Sequence, residues 1–144
     1  MRITISTPVK QGRRSVAQGF NQNLFERLNP PFPPVKLLRF DGSEKGDIVS
    51  LELDFILFKQ VWESHITESG ETEREWYFVD VGVKLPFFLC YWQHRHRVVQ
   101  TGTHATIIDD ITYETPFFLT DYLMYPVMWL QFMYRQPVYR RVFG

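Results

Sequence analysis

One cysteine in 144 residues leaves no room for an internal disulfide, a cysteine-rich metal knot or a paired-thiol redox motif. Cys90 stands in the apolar run Phe87-Phe88-Leu89-Cys90-Tyr91-Trp92 and reads as a small buried hydrophobe. No cation in that run lowers its pKa, so it is not read as a nucleophile, and a reducing, cytoplasmic setting is expected. Net charge is also missing. Sixteen Lys and Arg balance sixteen Asp and Glu, so no global field draws the chain to nucleic acid or an anionic surface. The basic clusters Lys10-Arg13-Arg14 and Arg135-Arg140-Arg141 read as ordinary surface charge. Glycine-rich phosphate loops are absent too: Gly42 and Gly46 lie in a charged turn, and neither GxGxxG nor the P-loop pattern occurs. Met1 to Ser6 alternates apolar and polar residues and lacks the continuous apolar core of an export signal. The nearest approach to a membrane span, Phe117 to Tyr134, is interrupted by Asp121, Pro126 and Gln131 and is marginally short, so a buried helix is expected rather than an integral membrane segment.

What is abundant is aromatic surface, 13 Phe, 7 Tyr and 4 Trp, which serves a large core or a ligand cavity equally well. The length suits a single domain over 1–144 that buries about two-thirds of its unfolded surface. Residues 2 to 7 read as a strand that Pro8 ends or confines to an edge. Val16, Phe20, Leu24 and Leu28 then recur every fourth residue and predict a helix, with Ser15 as its cap. Asn29-Pro30-Pro31-Phe32-Pro33-Pro34 stops it.

From Val35 to Tyr113 the pattern changes to short alternating runs between turn residues, which predicts five or six antiparallel strands. They cover Val35 to Phe40, Asp47 to Leu57, Gln60 to Glu68, Glu73 to Val81, Phe88 to Val99 and Ala105 to Tyr113, the last two joined across Thr101-Gly102. After Pro116 the period is helical again. Pro126 is expected to open the main helix or to kink a longer one. Val127, Leu130, Met133 and Tyr134 form one face, Trp129 and Phe132 much of the rest, and Arg135, Arg140 and Arg141 complement the C-terminus. Such a helix is expected to be covered nearly all round.

The densest polar feature is Trp92-Gln93-His94-Arg95-His96-Arg97 followed, after one turn, by Asp109-Asp110-Ile111-Thr112-Tyr113. Alternate strand residues share a face, so Trp92, His94 and His96 point one way, as do Asp109, Ile111 and Tyr113. A two-residue turn at Thr101-Gly102 opposes His94 to Asp109; a one-residue bulge opposes it to Asp110. Two His at i, i+2 with a carboxylate resemble a metal triad, but HxH on a strand is common by chance, so neither metal nor cofactor is assigned.

Four stretches carry a resemblance that spans the chain. They are Phe20-Asn21-Gln22-Asn23-Leu24-Phe25 with Leu28-Asn29-Pro30, Phe78-Val79-Asp80-Val81-Gly82 with Leu85-Pro86-Phe87, Trp92-Gln93-His94-Arg95-His96, and Asp109 to Pro116 followed by Phe132-Met133-Tyr134-Arg135. The sequence resembles an uncharacterised bacterial-type branch of the SRPBCC superfamily, the START and polyketide-cyclase group. That likeness implies an α+β helix-grip fold: a curved antiparallel sheet of six to seven strands wrapped around a long C-terminal helix, with an N-terminal helical segment. Members bind lipids, sterols, polyketides or plant hormones, and some catalyse cyclisation or dehydration in the same cavity.

The leading expectation is a non-enzymatic binder of a hydrophobic small molecule or lipid, held between sheet and C-terminal helix. Its walls are expected to include Phe55, Trp76, Tyr77, Trp92 and Ile111 from the sheet and Trp129, Leu130 and Met133 from the helix, with His94, His96 and Tyr113 at the ligand's polar end. An enzyme of cyclase, aromatase or dehydratase type, with His94 as acid or base and Asp109 orienting it, and a protein-interaction module are the alternatives. Oligomeric state is not read from this pattern.

Overall fold

The computed structural model describes residues 1–144. Seven strands form one curved antiparallel sheet: β1 Arg2–Val9, β2 Val35–Phe40, β3 Ile48–Asp54, β4 Lys59–Glu71, β5 Glu75–Lys84, β6 Tyr91–Thr101 and β7 His104–Glu114. Their spatial order is β1-β7-β6-β5-β4-β3-β2. After β1 the chain crosses the concave face through helices α1 Arg13–Gln18 and α2 Gln22–Leu28, enters at the far edge as β2, and meanders back to pair β7 with β1. Pro8 is part of β1 rather than its end. An edge strand tolerates the missing N–H because only one side of it is paired.

The period of two selects the inner face. Ile3, Ile5, Thr7 and Val9 on β1, Trp92, His94, His96 and Val98 on β6, and alternate residues from Ala105 to Tyr113 on β7 are all buried. β3 stops at Asp54, three residues short of the expected Leu57. The Asp54 carboxylate accepts the Ile56 N–H at 2.8 Å and helps turn the chain, leaving Ile56 at φ 75°. A β-branched residue is strained there, and the exposed tip Ile56-Leu57-Phe58 gains no core contact in return.

The expected single N-terminal helix is two. The ladder breaks at Gly19, whose Cα lies so close to the Phe143 ring that a Cβ would come within 2.5 Å of it. Asn21 then restarts the helix by accepting the Leu24 N–H at 3.0 Å. Ser15 lies inside α1 and is not its cap; Gly12 holds that position without a side-chain bond. Val16, Phe20, Leu24 and Leu28 are nonetheless all buried, because the break preserves the apolar stripe.

The C-terminal region departs further from expectation. α3 runs from Phe118 to Met133 straight through Pro126, which therefore neither opens it nor ends it. The ladder is interrupted at Tyr134, and α4 follows over Arg135–Phe143. Pro137 explains the interruption: it has no N–H for the carbonyl of Met133, and it sits in the first turn of α4, where no such bond is needed. Arg135 thus starts a helix instead of completing one. Val138, Tyr139 and Phe143 of α4 join Val16, Phe20 and Phe78 in one core cluster; Met128 and Phe132 of α3 join Ile3, Trp92 and Ile111 in another. α3 is not covered all round. Leu123 is 70 % exposed and Tyr122 65 %, and Phe118, Leu119 and Leu130 lie open beside them. No helix is long and apolar enough to cross a membrane.

Replacing the Asn21 cap removes the acceptor that restarts α2. Asn21→Ala is expected to cost about 1 kcal/mol, read as a lower urea midpoint with an unchanged slope.

Candidate functional site

Three adjacent strands bring four titratable side chains onto the concave face. Backbone pairing sets Asp80 beside His94 and His94 beside Ile111, then Phe78 beside His96 and His96 beside Asp109. The side chains cross this register. His94 Nε2 donates to Asp109 Oδ1 at 2.9 Å, and His96 Nε2 donates to Asp80 Oδ2 at 2.7 Å. The two imidazoles stack with centroids 3.5 Å apart, and His96 stacks in turn on Phe78 at 4.1 Å. Trp92 Nε1 fills the other Asp80 oxygen at 3.1 Å. From α4, Arg135 Nη1 reaches Asp109 Oδ1 at 3.3 Å while its guanidinium lies 4.6 Å over the Phe132 ring.

The β6–β7 turn is Gly102-Thr103, with Gly102 at φ 62°, and not Thr101-Gly102. The pairing therefore shifts by two residues from the expected one: His94 opposes Ile111, and His96 opposes Asp109. An even shift keeps every side chain on its face, and Asp109 becomes a diagonal neighbour still within reach of His94. Asp110 points outward and pairs with Arg2 at 2.7 Å.

Burial dominates the electrostatics. It pushes His96 down to about 4, helped by the neighbouring His94, and the Asp80 bond only partly opposes this. Burial alone raises the carboxyls of Asp80 and Asp109. Hydrogen bonds from His96 and Trp92 to the first, and from His94 with the Arg135 charge to the second, outweigh it and hold both below the usual carboxylate range. Burial lowers Arg135, but Tyr139 and Asp109 more than restore it. Behind the stack, Asp109 Oδ2, His96 Nδ1 and the Tyr139 hydroxyl are buried without a hydrogen-bond partner.

A cavity of about 430 Å³ opens in front of these groups. Asp80, His94, His96 and Arg135 form its titratable wall, Asn29, Ser64 and Gln131 are its other polar residues, and Leu28, Val49, Leu51, Leu53, Met128 and Phe132 are among its apolar ones. Asp109 stands behind the wall. Of the residues singled out in the sequence, Phe55, Trp92, His94 and His96 border the cavity. Trp76 packs against Phe20 instead, and Tyr77 lies on the convex face, bonded to Glu68 beneath Arg95. Ile111 and Tyr113 are packed in the core beneath α3, against which Met133 of that helix also packs, and the Tyr113 hydroxyl donates to the Asp121 carbonyl at 2.8 Å. Burial raises that hydroxyl to about 12. Trp129 and Leu130 face outward, because the α3 stripe turned to the cavity is Met124, Val127, Met128 and Gln131. Cys90 is exposed and gives its thiol to the Thr115 carbonyl.

Asp80 and Arg135 were not among the expected site residues. The only signal for Asp80 was a lone acid within Phe78-Val79-Asp80-Val81. The signal for Arg135 was Pro137 two residues on, which ends α3 where the side chain must turn inward. Asp80, His94 and His96 each offer one ligand atom, all within 4.8 Å. His96 Nε2, however, already donates its proton to Asp80 Oδ2, so a metal there would have to replace that proton.

No protein-family model and no curated protein matches this sequence. Solved structures do match in fold. The START superfamily protein of Mycobacterium smegmatis aligns over 94% of this chain and 97% of its own, with 10% identity and a TM-score of 0.59. The Zhui aromatase/cyclase of a Streptomyces species aligns over 84% and 72%, with 14% identity and a TM-score of 0.58. Norcoclaurine synthase of Thalictrum flavum, solved with dopamine and hydroxybenzaldehyde, aligns over 96% and 86%, with 14% identity and a TM-score of 0.61. The architecture is therefore the helix-grip, SRPBCC-type fold. Its structural neighbours thus include an aromatase/cyclase and a norcoclaurine synthase.

His96 stays neutral in the fold down to about pH 4, whereas the unfolded chain takes up that proton near 6.5. The unfolded state therefore binds more protons between these values, and stability falls as pH drops through the window by about 3 kcal/mol. Asp80 and Asp109, held below their ordinary values, add a loss of the same sign at lower pH. His96→Gln, which keeps a donor for Asp80, is expected to flatten the 6.5-to-4 limb in urea unfolding measured against pH.

Proposed function

We propose that this protein binds and carries a hydrophobic small molecule or lipid in the cavity between sheet and α3. The observation that carries the reading is a cavity of about 430 Å³ whose walls are mostly apolar and whose titratable groups, Asp80, His94, His96 and Arg135, stand together. That is the form of a small-molecule site, in which apolar area supplies affinity and a few fixed polar groups set orientation. Similarity of fold to a START superfamily protein and to an aromatase/cyclase supports a ligand of this kind.

The bond from His94 to Asp109 favours a second reading, an enzyme of cyclase, aromatase or dehydratase type in the same cavity. Mass spectrometry of the released ligand separates the two, since a carrier returns the molecule unchanged and an enzyme returns it altered.

A neutral fluorescent probe, N-phenyl-naphthylamine, is expected to bind with a blue-shifted, enhanced emission. Leu51→Trp places a larger side chain inside the cavity and is expected to weaken that binding by at least about tenfold, roughly 1.4 kcal/mol. Equal binding by the variant, with its fold intact by circular dichroism, places the probe elsewhere and defeats the reading.

A further inference from the structure

The polar wall offers a ligand an unequal choice of partners. At the cavity, both oxygens of Asp80 are taken, one by Trp92 and one by His96. Asp109 Oδ1 takes both His94 and Arg135, and Asp109 Oδ2, which has no partner, belongs to a residue behind the wall. A ligand ammonium must therefore share an oxygen that already accepts a bond, and the Arg135 charge held on Asp109 opposes it. His94 is different. A carboxylate can only accept, so the His94 proton sits on Nε2, and Nδ1 carries a lone pair. Asp80 Oδ2 is 3.8 Å from that nitrogen, beyond hydrogen-bonding distance. Arg135, bonded to Asp109 through one nitrogen, keeps further N–H donors on a side chain that borders the cavity. Among its titratable groups the wall thus presents one acceptor and one cationic donor; the other polar residues of the lining, Asn29, Ser64 and Gln131, are uncharged.

Charge then discriminates among acids. The groups facing His94 are Asp80 on β5, His96 on β6 and Asp109 on β7, with uncharged Phe132 on α3, and Arg135 on α4 reaches the same Asp109 oxygen that His94 does. Two carboxylates and one guanidinium leave one net negative charge when both imidazoles are neutral. A ligand carboxylate adds a second negative charge to a buried site, which is costly. A neutral hydroxyl adds none.

Building on the cavity-binding reading above, we infer that the bound molecule carries a weakly acidic hydroxyl, a phenol or an enol, at the end of an apolar body. The hydroxyl donates to His94 Nδ1, and its oxygen accepts from Arg135. When it ionises, the O–H bond breaks, the electron pair stays on oxygen, and the proton forms an N–H bond at His94 Nδ1. The total charge of the site does not change, and the new oxyanion lies against the guanidinium. Asp109 holds the imidazole in the tautomer that accepts this proton and steadies the imidazolium once formed.

The experiment uses para-nitrophenol, whose colour reports its ionisation, with para-nitroanisole and para-nitrobenzoate as comparators and bound N-phenyl-naphthylamine as the occupancy signal. The phenol is expected to displace the naphthylamine at least about tenfold more effectively than the anisole, with its ionisation midpoint lowered by about one pH unit on binding. His94→Gln is expected to abolish the midpoint shift, and Arg135→Met to reduce it, each read relative to that variant's own affinity for the naphthylamine. Equal displacement by phenol and anisole overturns the inference, and so does tightest binding by the benzoate, which identifies a plain anion site at Arg135. Failure of the naphthylamine itself to bind wild-type protein removes the cavity reading, and this inference with it.

Discussion

Two carboxylates buried on the concave face of a sheet have to be given donors, and much of this molecule is arranged around that need. Asp80 and Asp109 come from strands that never pair with each other; β6 lies between them and supplies an imidazole to each. The bonds cross because each His reaches past its backbone partner to a diagonal one, which draws the two rings into a stack. Phe78 continues the stack below His96, and Phe132 meets His94 edge-on at 5.2 Å. None of these contacts survives a one-residue slip of β6, since such a slip turns His94 and His96 to the convex face. The inner-face hydrogen bonds and the strand register therefore specify each other.

The helices answer a different demand. α4 packs Val138, Tyr139 and Phe143 tightly against α1 and the sheet, and this end of the molecule is solid. Towards β2 and β3 the filling stops. The proline-rich segment after α2 cannot continue as helix, and it forms a bent, non-helical strap in which Pro30, Phe32 and Pro33 border the cavity. Pro137 shapes the opposite side. By interrupting the helix at Tyr134 it lets α3 lie over the cavity while Arg135 turns in towards Asp109.

Strand number and the shared face of His94, His96 and Asp109 were legible from period and turn residues, because each depends on local alternation, whereas the curved sheet around a C-terminal helix followed from the resemblance alone. The identity of the turn was not. Thr101-Gly102 and Gly102-Thr103 are equally good candidates by composition, and only the pairing along the full hairpin distinguishes them. Trp76, Tyr77, Trp129 and Leu130 were expected at the cavity because large aromatic and aliphatic side chains suit its walls. Which of them face it depends on the rotation of α3, on the parity of β5, which turns Tyr77 outward, and on position along β5, which leaves the inward-facing Trp76 against Phe20, and hydrophobicity reports none of these. Asp80 and Arg135 were hidden for the opposite reason: a single acid in an apolar strand and a single base after a helix carry no period at all.

The polar stack and the shape of the cavity arise from different parts of the chain. The stack belongs to β5, β6 and β7, whereas the cavity's dimensions follow largely from α2, the proline strap, β3 and the inner stripe of α3. Exchanging Val49, Leu51, Leu53 or Val127 for larger or smaller residues alters the space without touching a member of the stack. A lineage built on this chain is thus free to change the body of its ligand by small steps while the group that reads the ligand's polar end is inherited unaltered.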